Sequence, residues 1–176
     1  MTKVPLREFD MQALCAALEA ERIARGLTWK ELVEQINDPF QHVPSLPISL
    51  STIRGMQRRS SVTSAVVLQV LRWLQQAPES FLKKSHDAAN VTVMRLPDVD
   101  PRRVLRFDTK ALHAALDQKR LEQGLTWKQL AKLLPGFTGS MLTNLAAGPA
   151  IGFPRVMRLT QWLGQPAAVF VRGRDR

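Results

Sequence analysis

Residues 9–32, FDMQALCAALEAERIARGLTWKEL, return at 107–130 as FDTKALHAALDQKRLEQGLTWKQL, with 14 of 24 positions identical and no gap. Chance does not produce that agreement, so the chain carries two copies of one helical unit. Their separation of 98 residues (107 − 9) is far beyond a solenoid period and is the size of a small domain. The chain therefore divides into two tandem units of roughly 80 residues each. Units of that size have compact cores and modest stability.

Local signals set the element boundaries. Asp10 and Asp108 are N-caps for a first helix, and Phe9 and Phe107 stand where they can staple onto Leu14 and Leu112. Gly26 and Gly124 end that helix, where a left-handed residue is usual. Thr28 with Glu31, and Thr126 with Gln129, form capping boxes for a second helix. The repeated Gly-Leu-Thr-Trp-Lys is thus explained by a tight helix–helix junction, without invoking a site.

In copy two a short break follows, and Thr138 caps a third helix, GSMLTNLAAG, ending at Gly148. In copy one the break is longer. It covers 37–47, about nine extra residues, and Pro39, Pro44 and Pro47 make it loop, not helix. Ser49 then caps LSTIRGMQRR. The copies realign at SAVVLQVLRWLQQAPESF (64–81) and FPRVMRLTQWLGQPAAVF (153–170), which read as a fourth helix with a stripe at Val67, Val70, Leu71 and Leu74. A short fifth helix is predicted near Pro78 and Pro166. The expected organisation is domain one at 8–84, a linker at 85–106 and domain two at 107–172. The expected fold class is all-α, with four to five helices per unit. The composition of VTVM (91–94), and the similarity of VPLR (4–7) to VLR (104–106), are compatible with a small β pairing near the linker.

Lys and Arg number 25 against 15 Asp and Glu, a net charge of +10 with a pI near 10.8. Excess positive charge favours a polyanion partner: DNA, RNA or an acidic membrane face. A basic but merely solvated surface is the bland reading. The one cysteine, Cys15, excludes an intramolecular disulfide; beside Leu14 and Leu18 it reads as a buried small side chain. With three histidines, His42, His86 and His113, no metal-ligand cluster is visible and no cofactor is expected. No signal-peptide pattern and no membrane-length apolar stretch occurs, so a bacterial cytoplasmic protein with no membrane partner is expected. Paired carboxylates in a motif, a nucleophile–histidine arrangement and a phosphate-binding glycine loop are all missing, so the chain is not read as an enzyme.

The order of capped helix, Gly-Leu-Thr, helix, turn, Ser/Thr cap, helix, then a helix ending in Trp-Leu-Gly resembles the lambda-repressor-like helix-turn-helix family of phage and bacterial repressors. Copy two carries the likeness best, in GLTWKQLAKLLPGFTGSMLTNLAAG followed by RLTQWLG; copy one carries it in GLTWKEL and SLSTIRGM. About 65 residues of each copy are covered. The resemblance implies two tandem helix-turn-helix bundles, each laying its third helix in a DNA major groove while the second crosses the backbone.

Carried over by position, Leu50, Ser51, Arg54 and Gly55 would face the groove in copy one, and Gly139, Ser140, Thr143 and Asn144 in copy two. Thr28, Lys30, Thr126 and Lys128, with Arg58 and Arg59, would face phosphates. Arg54 suits a bidentate guanine contact and Asn144 an adenine one. The bland readings are an exposed helix end for the arginines and a polar surface residue for Asn144. Trp29, Trp73, Trp127 and Trp162 sit on apolar stripes and read as core, not as base-stacking groups.

The family often pairs an arginine late in helix 1 with a glutamate late in helix 3. Arg22 and Arg120 are present, but Gln57 and Ala146 stand at the glutamate positions. The resulting expectation is a sequence-specific DNA-binding regulator, a repressor or activator, on an asymmetric double-stranded site. The linker, roughly 70 Å when extended, would join half-sites about 34 Å apart. The alternative is a protein-interaction module, an anti-activator or adaptor, with a protein partner bound through domain two, whose third helix is uncharged.

Overall fold

The computed structural model describes residues 5–42, 48–59, 62–88, 90–147 and 151–174. In chain order the elements are α1 (Met11–Ala24), α2 (Trp29–Asn37), α3 (Leu50–Gly55), α4 (Ser64–Leu74), β1 (Val104–Phe107), α5 (Thr109–Glu122), α6 (Trp127–Leu133), α7 (Gly139–Thr143), α8 (Phe153–Leu163) and β2 (Val171–Arg174). Each copy thus holds four α-helices among the described residues. The local signals act as their chemistry dictates. Asp10 accepts from the Ala13 amide and Asp108 from Ala111, both at 3.0 Å. The boxes Thr28/Glu31 and Thr126/Gln129 close in both directions. Gly26 and Gly124 have φ of +67° and +65°.

The all-α expectation is corrected. β1 and β2 form a two-stranded antiparallel sheet, with Val104 opposite Arg174 and Phe107 opposite Val171. The reason is that each copy closes on itself by joining the segment before its first helix to the segment after its fourth. In copy one this closure shrinks to a bridge between Phe9 and Leu82, flanked by Asp10 N–H to Phe81 O and Lys83 N–H to Glu8 O, both 2.8 Å. Thus VLR at 104–106 does become strand, but its partner is distant in sequence. VTVM at 91–94 forms no strand.

The copies are packed reciprocally. α4 of copy one lies on β1, and Gln69 donates to Leu105 O at 3.2 Å. α8 of copy two grips the segment before copy one: Gln161 both accepts from Arg7 N–H and donates to Arg7 O, each at 2.8 Å. Buried residues of both copies form one continuous cluster, with Phe153 ringed by Phe9 and Phe107 at centroid distances of 4.8 and 5.7 Å. The 85–106 segment is tied down in part, for Arg72 donates to the carbonyls of Val99, Asp100 and Arg103 at 2.8–3.1 Å.

Other departures are local. The third helices are short: α3 is six residues followed by a 3₁₀ turn at Met56–Arg58, and α7 is five. Gly148, the expected end of the latter, lies outside the described residues. The fifth helix is a 3₁₀ turn in both copies, Pro78–Phe81 and Ala167–Phe170. The insert opens with a 3₁₀ turn, Asp38–Phe40, that buries Phe40; Pro44 and Pro47 lie outside the described residues.

Candidate nucleic-acid interface

Thr126 and Thr138 begin the two helices of the copy-two motif, each hydroxyl accepting from the amide three residues on, at 3.1 and 3.2 Å. Leu134 and Phe137 are buried on either side of Pro135 and Gly136, which fixes the turn. The start of α7 then abuts the start of α6: a β-carbon at Gly139 would stand 3.5 Å from the Lys128 α-carbon. This close approach brings Lys128 beside Ser140. Leu130, Leu142 and Leu145 hold the inner faces in the core. Thr126, Lys128, Ser140, Thr143 and Asn144 are exposed. Thr143 spends its hydroxyl proton on Gly139 O at 2.8 Å, which leaves the oxygen as an outward acceptor.

Copy one reaches a similar surface by another route. Its insert returns to the motif through Asn37, a residue that caps and periodicity do not single out. Asn37 is buried, donates to Ile48 O at 2.7 Å and accepts from Ile48 N–H at 3.2 Å. That clamp seats Ser49, which accepts from Thr52 N–H and starts α3. Ile53 and Met56 turn inward, while Thr28, Lys30, Leu50, Ser51, Arg54, Arg58 and Arg59 are exposed. Lys30 stands 3.9 Å from Glu34, a loose surface pair. Among the described residues Arg54, Arg58 and Arg59 have no ion-pair or hydrogen-bond partner. Gly55 and Gly139 are half-buried; Gly139 packs on the start of α6, while Gly55 lies beneath the Arg59 guanidinium.

Arg22 and Arg120 have a role that the absent glutamates do not predict. Arg22 donates to Leu27 O at 2.7 Å and lies 4.6 Å from the centroid of Trp29. Arg120 does the same to Leu125 O at 2.6 Å and stands 4.7 Å over Trp127. Each arginine pins the junction and shields the indole that begins helix 2. Arg25 over Trp73 and Lys119 over Trp162 complete the set. One tryptophan, Trp162, is buried; the other three are half-buried, each with an arginine over one face, and Trp127 also stacks on His113.

The two motifs differ in charge. α3 and its 3₁₀ extension hold Arg54 and Arg58, with Arg59 as the extended residue that follows, whereas α7 holds no charge. Cys15 is buried, and burial pushes its thiol up to about 11, so it stays protonated at neutral pH. Among the described residues no group of three or more His, Cys, Asp or Glu side chains is arranged to hold a metal ion, and no helix is long and apolar enough to cross a membrane. No family model matches the chain, and neither does any curated protein or solved structure.

Proposed function

We propose that this protein is a DNA-binding transcriptional regulator of the lambda-repressor-like helix-turn-helix type, holding double-stranded DNA through α2–α3 and α6–α7. The two motifs carry different side chains, so the site is asymmetric in sequence. The observation that carries this reading is the group of exposed, unpartnered cations at Arg54 on α3, at Arg58 ending the 3₁₀ turn that extends it, and at Arg59 just beyond. Arginines placed so gain little stability for the fold and are available to phosphates and base edges. The net charge of +10 supports the same partner.

The test is a mobility shift on genomic fragments across a salt series. Neutralising phosphates releases counterions, so log K is expected to fall with log salt by about 0.9 per phosphate contacted. Tight binding that stays flat in salt counts against DNA. One observation favours a second reading for copy two alone. The uncharged surface of Ser140, Thr143 and Asn144 beside half-buried Met141 suits a protein partner better than a polyanion. Capture of one defined protein at high salt, lost on substituting Thr143 and Asn144, would support it.

A further inference from the structure

We infer that this single chain presents its two third helices as the two halves of a built-in dyad, so that one molecule selects one inverted pair of non-identical half-sites at a fixed spacing. The inference rests on the DNA reading proposed above and adds orientation, spacing and stoichiometry to it.

From the third helices onward, equivalent residues of the two copies differ by 89 (153 − 64, the two fourth-helix starts). By that offset Thr63 and Gly152 are equivalent, and they pair with each other as an antiparallel bridge. Phe153 N–H donates to Val62 O at 3.2 Å and Ser64 Oγ to Ile151 O at 2.7 Å, so the pairing is anchored on both sides. Two equivalent residues that pair antiparallel with each other flank a local two-fold axis. Head-to-tail copies would pair Thr63 with something else. The same offset relates the 3₁₀ turns Pro78–Phe81 and Ala167–Phe170, and these also touch each other. The reciprocal grips agree at the level of elements, though the gripping side chains Gln69 and Gln161 are 92 apart (161 − 69), three residues off the fourth-helix offset. α4 holds Leu105 and α8 holds Arg7, and these two residues are equivalent at the first-half offset of 98 (105 − 7).

Both readers end only a few residues before the axis along the chain. Thr63 is five residues beyond Arg58, where the helical extension of α3 ends, and Gly152 is eight beyond Asn144, just past α7. At ~3.5 Å per residue and ~5.5 Å across the pair, the ends of the two third helices lie within roughly 50 Å. Half-sites one helical turn apart, about 34 Å, fall inside that limit. The bridge also removes the freedom of a tether: the copies cannot turn to read a direct repeat. Because Leu50, Ser51 and Arg54 face one half while Ser140, Thr143 and Asn144 face the other, the contacted positions mirror each other but the bases do not. Such a site looks irregular in sequence although its geometry is that of a palindrome.

The experiment uses the whole protein. Bound duplexes are selected from a random pool, and the selection is repeated with Arg54→Ala and with Asn144→Ala, both surface changes that leave the core untouched. One chain per duplex is expected by native mass measurement. The base positions relaxed by the two variants are expected on opposite strands at matched distances from a centre. Inserting about 5 bp, a half turn, between them should weaken binding at least tenfold. Relaxed positions in direct orientation, indifference to spacing, two chains per duplex, or a site that a single variant alone relaxes would each overturn the dyad and leave DNA reading standing. Failure to select any sequence at low salt would overturn both.

Discussion

Arg54 and the pair Arg58 and Arg59 make separable predictions, because one faces a base edge in the proposed pose and the others face phosphates. Arg54→Ala should cost about 1–3 kcal/mol on the selected site and relax one base position. Replacing Arg58 and Arg59 together should weaken every sequence alike and flatten the salt slope by about two contacts. Titrations on selected and scrambled duplexes distinguish these outcomes. Should both changes leave binding intact while Asn144→Ala and Lys128→Ala abolish it, copy two is the principal reader. Glu79 makes a prediction about pH. Its carboxylate is buried where the copies meet and accepts from Met94 N–H at 3.2 Å and Ala167 N–H at 3.3 Å. Burial raises its pKa above the ordinary 4.5, and the two amides oppose that rise. The folded state therefore holds the proton more tightly than the unfolded one. The stability this contributes is full below the ordinary carboxylate range and is lost as pH rises through the raised value. Glu79→Gln cannot ionise, so its urea midpoint should fall less than the parent's between about pH 4 and 7. Parallel curves would show that Glu79 titrates normally.

Among the elements, the two fourth helices end with the same backbone turn and different residues. Gly164 has φ +70°, and at the equivalent position Gln75 is forced to φ +54°. Nothing lies within 4 Å of a β-carbon at Gly164, so the difference is one of backbone strain alone. Gln75→Gly should stabilise the protein by about 1 kcal/mol and Gly164→Gln should destabilise it by a similar amount, read as shifts in urea midpoint at constant slope. These turns illustrate what a sequence makes legible. Asp10, Thr28, Gly26 and their counterparts act on atoms within four residues, so the helix starts, the first-helix ends and the exposed faces that follow from them can be read from the chain. The β1–β2 pairing joins Val104 to Arg174, and no local pattern records a partner at that distance. Gln69 and Gln161 look like solvent-facing breaks in apolar helices, yet they satisfy backbone of the opposite copy. The third helix of copy two ends early, giving way at Asn144 to turns held by Leu145 N–H to Leu142 O at 3.3 Å and Ala147 N–H to Asn144 O at 3.2 Å, although the alanines at 146 and 147 favour helix. At the candidate site the caps locate the exposed residues, but the Asn37 clamp and the relation between the two readers exist only once both copies are packed.

For the whole molecule, the continuous core predicts a single cooperative transition. Calorimetry should give equal calorimetric and van't Hoff enthalpies. Leu14→Ala, at a fully buried position of copy one, should cost about 2–5 kcal/mol. Hydrogen exchange in α5 of copy two should accelerate by the same free energy, because both copies open together. Two resolved transitions, or protection in α5 that ignores Leu14, would show that the copies unfold separately.

The grip of Gln161 on Arg7 joins residues 154 apart in the chain. During synthesis the first copy can form its helices and the Arg7 guanidinium can reach Leu82 O and Lys83 O, but the Arg7 backbone N–H and C=O have no Gln161 until α8 has left the ribosome. Closure across so long a loop is slow, and the apolar surface of copy one that copy two will cover stays open in the interval to a neighbouring nascent chain. The same reciprocity that fixes the mature geometry thus makes assembly a late event, with domain-swapped dimers as its natural error.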